Sequence, residues 1–284
     1  MLADAHLHLF RHGYGPASIH ARLGGLSDID AYDRLRQTHG IRAGLVIGYE
    51  ADAIDPDNNR YLRELAPGRE WLQSLAFRDV GALPDAAWIR DRLAEGHRGL
   101  ALYVADSAAA TALSGWSAEA WRSLNDHAAL ISLNARPEAT ALLAPVIAAA
   151  PDCRFLFSHV GLPGRHSAPP HGQAPHDRLR PLLALAGHDN VYVKVSGLYA
   201  ICDPPSLWPQ QTAVPFVAEV LAAFGPDRCL WGSDFSPALE FLRFDQTIPV
   251  LTGCHLTSEE TAQVMGGNLV RLLDRTTGRK QVFW

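Results

Sequence analysis

Asp4-Ala5-His6-Leu7-His8 near the N-terminus, and Leu230-Trp231-Gly232-Ser233-Asp234 far downstream, decide how this chain is read. In an extended strand, side chains two apart share a face, so His6 and His8 direct two imidazoles into one space. A carboxylate at the end of a distant apolar strand, Asp234, completes a metal site there or supplies a general base. A His-x-His pair alone is a weak signal. Its weight depends on where the other strands end.

Short apolar runs recur at intervals of roughly 25 to 40 residues, the spacing of repeated strand–helix units. They are Leu2–Leu9, Ala43–Tyr49, Trp71–Phe77, Gly99–Val104, Leu130–Asn134, Arg154–His159, Val191–Ser196 and Cys229–Asp234. Near-continuous hydrophobicity suits parallel strands covered on both faces. Helical patterns lie between them at Asp28–His39, Pro84–Glu95, Pro137–Ala150, Thr212–Phe224 and Ser258–Leu273, the last broken near Gly266-Gly267 and capped at Ser258. The expected fold is a single-domain α/β structure, a (β/α)8 TIM barrel over residues 1–284, with its active site at the C-terminal mouth.

Composition is consistent with this. The chain has 284 residues, 48% hydrophobic and 19% charged, an ordinary balance for a globular protein with a large core. A formal charge of −5 gives no electrostatic reason to expect nucleic acid or an anionic membrane as partner. No apolar run is long enough to span a bilayer, and the N-terminus reads as a strand rather than a signal peptide. Cys153, Cys202, Cys229 and Cys254 lack metal-type spacing and read as free thiols of a cytoplasmic protein. A small-molecule substrate is the expected partner. The oligomeric state stays open, a homodimer being one option, with the apolar tail Gln281–Trp284 packing on its own barrel or on a neighbouring subunit.

One stretch departs from the compact pattern. Gly161–His176 reads GLPGRHSAPPHGQAPH, with no periodic apolar face and three histidines, His166, His171 and His176. Its place after the sixth strand marks it as a candidate lid over the barrel mouth, the alternative being a plain surface loop.

In a parallel barrel every strand delivers its C-terminal residues to one mouth. Here strand one delivers His6 and His8, strand six His159, strand seven Lys194 and Ser196, and strand eight Asp234. Strand five adds Asn134 with Arg136 beyond it, and Arg78 follows strand three. The segments D-A-H-L-H-L-F, F-S-H-V-G-L-P, N-V-Y-V-K-V-S-G-L and L-W-G-S-D-F together resemble the amidohydrolase superfamily. More narrowly they resemble its amidohydrolase 2 branch of sugar-lactone and pyrone-dicarboxylate lactonases and related decarboxylases. The resemblance runs from the first strand to the last.

It implies catalysis at the C-terminal mouth, with His6 and His8 as metal or substrate ligands. His159 would polarise substrate or orient water, and Asp234 would act as the base that also binds metal. Two departures matter. Asn134 stands where many relatives carry a strand-five histidine, and Gly99–Tyr103 lacks the bridging lysine of dinuclear members. The expectation is therefore one divalent ion, zinc, on His6, His8 and Asp234, with metal-free catalysis as the alternative. Ala101 stands where an arginine often sits in dicarboxylate-binding relatives, which leaves Lys194, Arg78, Arg136, Asn134 and Tyr199 as substrate contacts. The expected activity is hydrolysis of a lactone, preferentially of a sugar acid. A decarboxylase of the same branch, a phosphoesterase or amidase, and a non-catalytic barrel are its rivals.

Overall fold

The computed structural model describes residues 1–14 and 23–276. The tail Gln281–Trp284 therefore lies outside the described residues. Eight parallel strands follow one another in chain order around the sheet: β1 (Leu2–Leu7), β2 (Ile41–Ile47), β3 (Leu72–Phe77), β4 (Gly99–Val104), β5 (Leu130–Ala135), β6 (Arg154–Phe157), β7 (Val191–Val195) and β8 (Cys229–Trp231). Every apolar run read as a strand overlaps one, although β2 begins two residues before its run and β5 ends one residue beyond its own. Closure comes just past β8, where the Asp234 N–H donates to the His6 carbonyl at 2.8 Å and Phe235 bridges Leu7 in parallel. The result is a (β/α)8 barrel.

Period-two alternation sorts the strands other than β1 into an outer apolar face and an inner column. Ile131, Leu133 and Ala135 of β5, with Val191, Val193 and Val195 of β7, join the outer core under the helices. The inner columns grade from apolar to polar toward the mouth: Leu130–Ser132–Asn134 on β5, Leu156–Ser158 from β6, Tyr192–Lys194–Ser196 from β7. At the opposite end Ala3, Ala5, Leu45, Leu75, Leu156 and Leu230 cluster with Leu269 and Leu272 of the closing helix, Asn268–Thr276. That helix plugs the barrel floor. The turn before it presses on β1 so closely that a Cβ on Gly266 would stand 2.7 Å from the Met1 carbonyl oxygen.

β1 breaks strict alternation. Ala3 and Ala5 belong to the inner cluster, and a register irregularity between Asp4 and Leu7 then lets His6 and His8 face inward as well. Asp4 faces the outer layer, where it accepts from Tyr32 Oη at 2.9 Å.

The helices show where local reading fails. Asp28–His39 forms as expected, with Ser27 as its N-cap. Pro84–Glu95 shortens to Ala86–Ala94 because Asp85 caps it. Pro137–Ala150 splits into Pro137–Thr140 and Ala144–Ala149, with Pro145 in the first turn of the second piece. In the last segment Thr257, not Ser258, is the cap, through a reciprocal box with Glu260. Four further helices were not among those expected: Asn58–Leu65, Ser107–Ser114 and Ala118–Asn125, each only eight residues long, and Ala174–Leu183, which carries Pro175 and Pro181. The last overlaps the candidate lid, so His176 is helical and pairs with Glu219 at 3.0 Å. No helix among the described residues is long and apolar enough to cross a membrane, and all four cysteines are unpaired thiols.

Candidate active site

Side chains from non-neighbouring strands meet inside the barrel just below its mouth. Lys194 Nζ donates to Ser132 Oγ at 2.6 Å and lies 2.8 Å from His6 Nδ1, which is also 3.4 Å from Ser158 Oγ. Above this polar layer, Asp234 Oδ1 stands 3.4 Å from His6 Nε2 and 3.6 Å from His8 Nε2. Tyr199 Oη donates to the other oxygen, Oδ2, at 2.7 Å. His159 Nδ1 sits 3.9 Å from that same oxygen and 3.2 Å from Ser196 Oγ.

The backbone is shaped to bring these groups together. His159 and Asp234 both adopt left-handed conformations, with φ of 52° and 59°. Gly197 has φ 55°, and a Cβ there would run into the His159 ring and stand 2.9 Å from Asp234 Oδ2. The glycine of Ser196-Gly197-Leu198 is thus a requirement of the site. Asp4 supports the same place from outside. It accepts from the backbone N–H of His6 at 3.1 Å and of Ser233 at 2.9 Å, and from the hydroxyls of Ser233 and Tyr32.

Burial sets the charges. It lowers the pKa of His8 to about 4 and of His159 to about 3, in the latter case reinforced by the Lys194 charge. Burial, with Lys194 again, drives His6 well below the usual range. All three imidazoles are therefore neutral at pH 7, and their approaches to Asp234 are not ion pairs. Burial raises Asp234 to about 6, opposed by His8 and by the Tyr199 hydrogen bond, which leaves it mostly ionised at neutral pH. Burial also brings Lys194 down to about 7.

The tautomers bear on metal binding. His8 Nδ1–H donates to the Ile47 carbonyl at 2.8 Å, so a neutral His8 turns a lone pair toward Asp234 Oδ1. This backbone tether is the usual way a ligating histidine is oriented. His6 Nε2 is buried without a hydrogen-bond partner. Lys194, with its lowered pKa, is able as a neutral amine to accept from His6 Nδ1 and free that Nε2 lone pair. Ligand atoms of His6, His159 and Asp234 lie within 4.8 Å of one another. Convergent lone pairs around one carboxylate, with no proton between them, fit a single divalent ion.

Over this cluster lies a cavity of about 230 Å³. It is lined by His8, His159 and Asp234 and walled by aromatic rings, chiefly Tyr14, Tyr49, Tyr103 and Tyr199, with Asn134 at its side. Of the sequence-derived contacts, Asn134 and Tyr199 reach it, and Lys194 lies beneath. Arg78 does not line it: its guanidinium is bound to the Ala82 and Leu83 carbonyls and stacked on Trp88. Arg136 is exposed at the start of Pro137–Thr140. Sequence reading missed Tyr49 and Tyr103. Tyr103 was within reach of alternation, standing two residues beyond the inner-face Ala101. Nor does any residue of 161–176 line the cavity among the described residues. That stretch is tied instead to the segment after β7, His166 N–H donating to the Ile201 carbonyl and Asp203 N–H to the His166 carbonyl.

The sequence profile of the amidohydrolase family matches residues 3–275. The chain belongs to this family. No curated protein matches it in sequence. Among solved structures, a Burkholderia multivorans amidohydrolase with bound zinc is similar at 20% identity and TM-score 0.74, covering 96% of this chain and 98% of that one. A probable 2-pyrone-4,6-dicarboxylic acid hydrolase from Acinetobacter baumannii, with citric acid bound, follows at 15% identity and TM-score 0.69, covering 95% and 98%. A 2,6-dihydroxybenzoate decarboxylase complexed with 2,6-dihydroxybenzoate has 15% identity and TM-score 0.64, covering 96% and 98%. At these identities the likeness is one of fold. Within the amidohydrolase family, this chain carries its potential ligands on the ends of β1, β6 and β8 and an asparagine on β5.

Proposed function

We propose that this amidohydrolase hydrolyses a lactone, and that the lactone is an uncharged, sugar-like ring. The observation that carries the reading is the surroundings of Asp234. It is a buried, mostly ionised carboxylate, held by Tyr199 on one oxygen and faced by neutral imidazoles on the other, under a small tyrosine-walled cavity.

Asp234 takes a proton from water as that water attacks the lactone carbonyl, and returns it to the ring oxygen as the C–O bond breaks, giving a hydroxy acid. Tyr199 fixes Oδ2, which leaves Oδ1 as the oxygen that receives the proton. His159 holds the water or the carbonyl by a hydrogen bond. His6, His8 and Asp234, with His159 beside them, would hold a divalent ion, zinc by the chemistry of imidazole and carboxylate donors, and that ion supplies Lewis acidity toward the carbonyl. Lys194, as the neutral amine that accepts from His6 Nδ1, keeps the Nε2 lone pair of His6 turned toward Asp234.

Charge selects the substrate. No arginine lines the cavity among the described residues, and Lys194 is engaged by His6 and Ser132. The second carboxylate of a dicarboxylate would find no arginine partner in this cavity, whereas hydroxyl groups and a ring face suit the tyrosines and Asn134. The unpaired thiols accord with a reducing compartment such as the cytoplasm. Turnover on a panel of neutral aldonolactones and carboxylated lactones tests the proposal, with ring opening of the neutral members expected. Carbon dioxide release from aromatic acids, with no lactone opened, would replace the hydrolase by a decarboxylase.

A further inference from the structure

The catalytic cavity has a wall that the chemistry at Asp234 does not use. Eight strands in chain order around a closed barrel set each strand across from the one four places on, so β4 faces β8 and β5 faces β1. Tyr103 of β4 and Asn134 of β5 are register partners on neighbouring strands, and both line the cavity. They therefore stand across it from Asp234, just past β8, and His8, just past β1. The Tyr103 ring is fixed in place, edge-on to Tyr49 at 4.8 Å between centroids and 5.9 Å from Phe77.

Two observations bear on what this wall binds. Among the described residues no group hydrogen-bonds the hydroxyl of Tyr103 or the side-chain amide of Asn134, whereas His8, Tyr199 and Asp234 are engaged by the protein itself. A ligand that fills the cavity must satisfy both groups, because a polar atom covered without a partner is costly. Burial, with the Asp234 charge adding to it, also holds the Tyr103 hydroxyl well above its usual range, so it stays neutral and can donate as well as accept. The Asn134 amide likewise offers a donor and an acceptor. An alcohol matches such groups by giving one proton and accepting another, whereas a carboxylate only accepts and would face the Asn134 oxygen.

We propose that Tyr103 and Asn134 are specificity-determining residues that read two hydroxyls on the far edge of the substrate ring. The inference rests on the lactonase reading, which puts the carbonyl at Asp234. In a six-membered lactone the carbon opposite the carbonyl, with its hydroxylated neighbour, then meets the β4–β5 wall. The hydroxyl beside the carbonyl lies on the catalytic side, away from this pair. The substrate class narrows to six-membered aldonolactones bearing both far hydroxyls, and a cavity of about 230 Å³ holds one such ring.

Calorimetry with gluconolactam and galactonolactam, ring amides that keep the hydroxyls and resist opening, tests this without turnover. The epimer that binds more tightly serves as parent. A lactam lacking the two far hydroxyls should bind about ten- to a hundredfold more weakly than the parent. Tyr103→Phe and Asn134→Leu should each weaken the parent about three- to tenfold, the worth of one neutral hydrogen bond. They should weaken a lactam lacking only the hydroxyl beside the carbonyl by the same factor. The lactam without the far hydroxyls should bind both variants within about twofold of the unmodified protein. Circular dichroism verifies folding, and Tyr103→Phe, which keeps the ring, carries the test if the leucine variant does not fold. Equal weakening of all three lactams, as from a merely structural loss, would overturn the proposal, and so would the absence of saturable lactam binding. Lactams bound in this pattern with no lactone opened would reject the hydrolase and leave the wall as assigned. Lactones opened at rates indifferent to the far hydroxyls and to both substitutions would reject the wall alone.

Discussion

Replacing Asp4 tests how the catalytic end of the barrel is held shut. The carboxylate accepts from four donors of two kinds. The N–H groups of His6 and Ser233 can only donate, whereas the hydroxyls of Ser233 and Tyr32 can rotate and accept. Asp4→Asn keeps one oxygen for the two amides and turns a donor toward the two hydroxyls. Ser233 Oγ already accepts from Phe235 N–H at 3.1 Å and has a second lone pair to offer. Asparagine also sheds the burial penalty that pushes the Asp4 pKa up to about 6. Gains and losses nearly cancel, and stability at pH 7 should change by no more than about 1 kcal/mol. Asp4→Ala instead orphans two buried backbone donors at about 1–3 kcal/mol each, a loss of about 2–6 kcal/mol before any cavity is counted. Urea unfolding with a shared m-value measures both. Equal stabilities for the alanine and asparagine variants would refute the assignment of Asp4 as a latch between β1 and the segment after β8.

Other expectations concern chemistry and pH. Asp234→Asn should lower turnover by about 10² to 10⁴ with the fold intact, read by lactone hydrolysis and thermal unfolding. Purified protein should carry about one equivalent of divalent metal, and His8→Ala should lower that content by direct elemental analysis, since three protein ligands are the minimum for a catalytic zinc. Tyr199→Phe removes a bond that favours the ionised base, so more of Asp234 is protonated at a given pH; the acidic limb of kcat/KM should move up by about one to two pH units, with activity recovering in alkali. An unmoved limb would mean that Tyr199 does not tune Asp234. Because burial raises the Asp4 pKa, its proton is held more tightly in the folded than in the unfolded state. Its contribution to stability should therefore be present below pH 4 and decline as pH rises through about 6, a slope that Asp4→Asn should lack.

Much of the barrel was legible because parallel strands buried on both faces leave unbroken apolar runs, and their ends fall where the polar residues begin. His6, His8, His159 and Asp234 converge for that reason. Arg78 and Arg136 show the limit: a position just past a strand is placed by the fold, but the direction of a long side chain is decided by nearby carbonyls, by Trp88 or by solvent. Tyr49 and Tyr103 show another limit: alternation places Tyr103 on the inner face, but a tyrosine at an inner position reads equally as core or as cavity wall. Asp4 sits beside the decisive histidines, yet its role depends on Tyr32 and Ser233, which only the closed barrel brings to it.

The contact of Gly266 with the backbone of Met1 to Ala3, together with the plug formed by Leu269 and Leu272, has a bearing on biosynthesis. β1 leaves the ribosome before the other seven strands, but the residues that secure it, Ser233 on one side and the floor helix beneath, follow all eight. A nascent chain that has exposed seven strands still presents two open sheet edges and an uncovered apolar floor, surfaces prone to mispairing. Closure of this barrel thus waits for the segment after β8, and His6 and His8 meet Asp234 only when that segment pairs with β1.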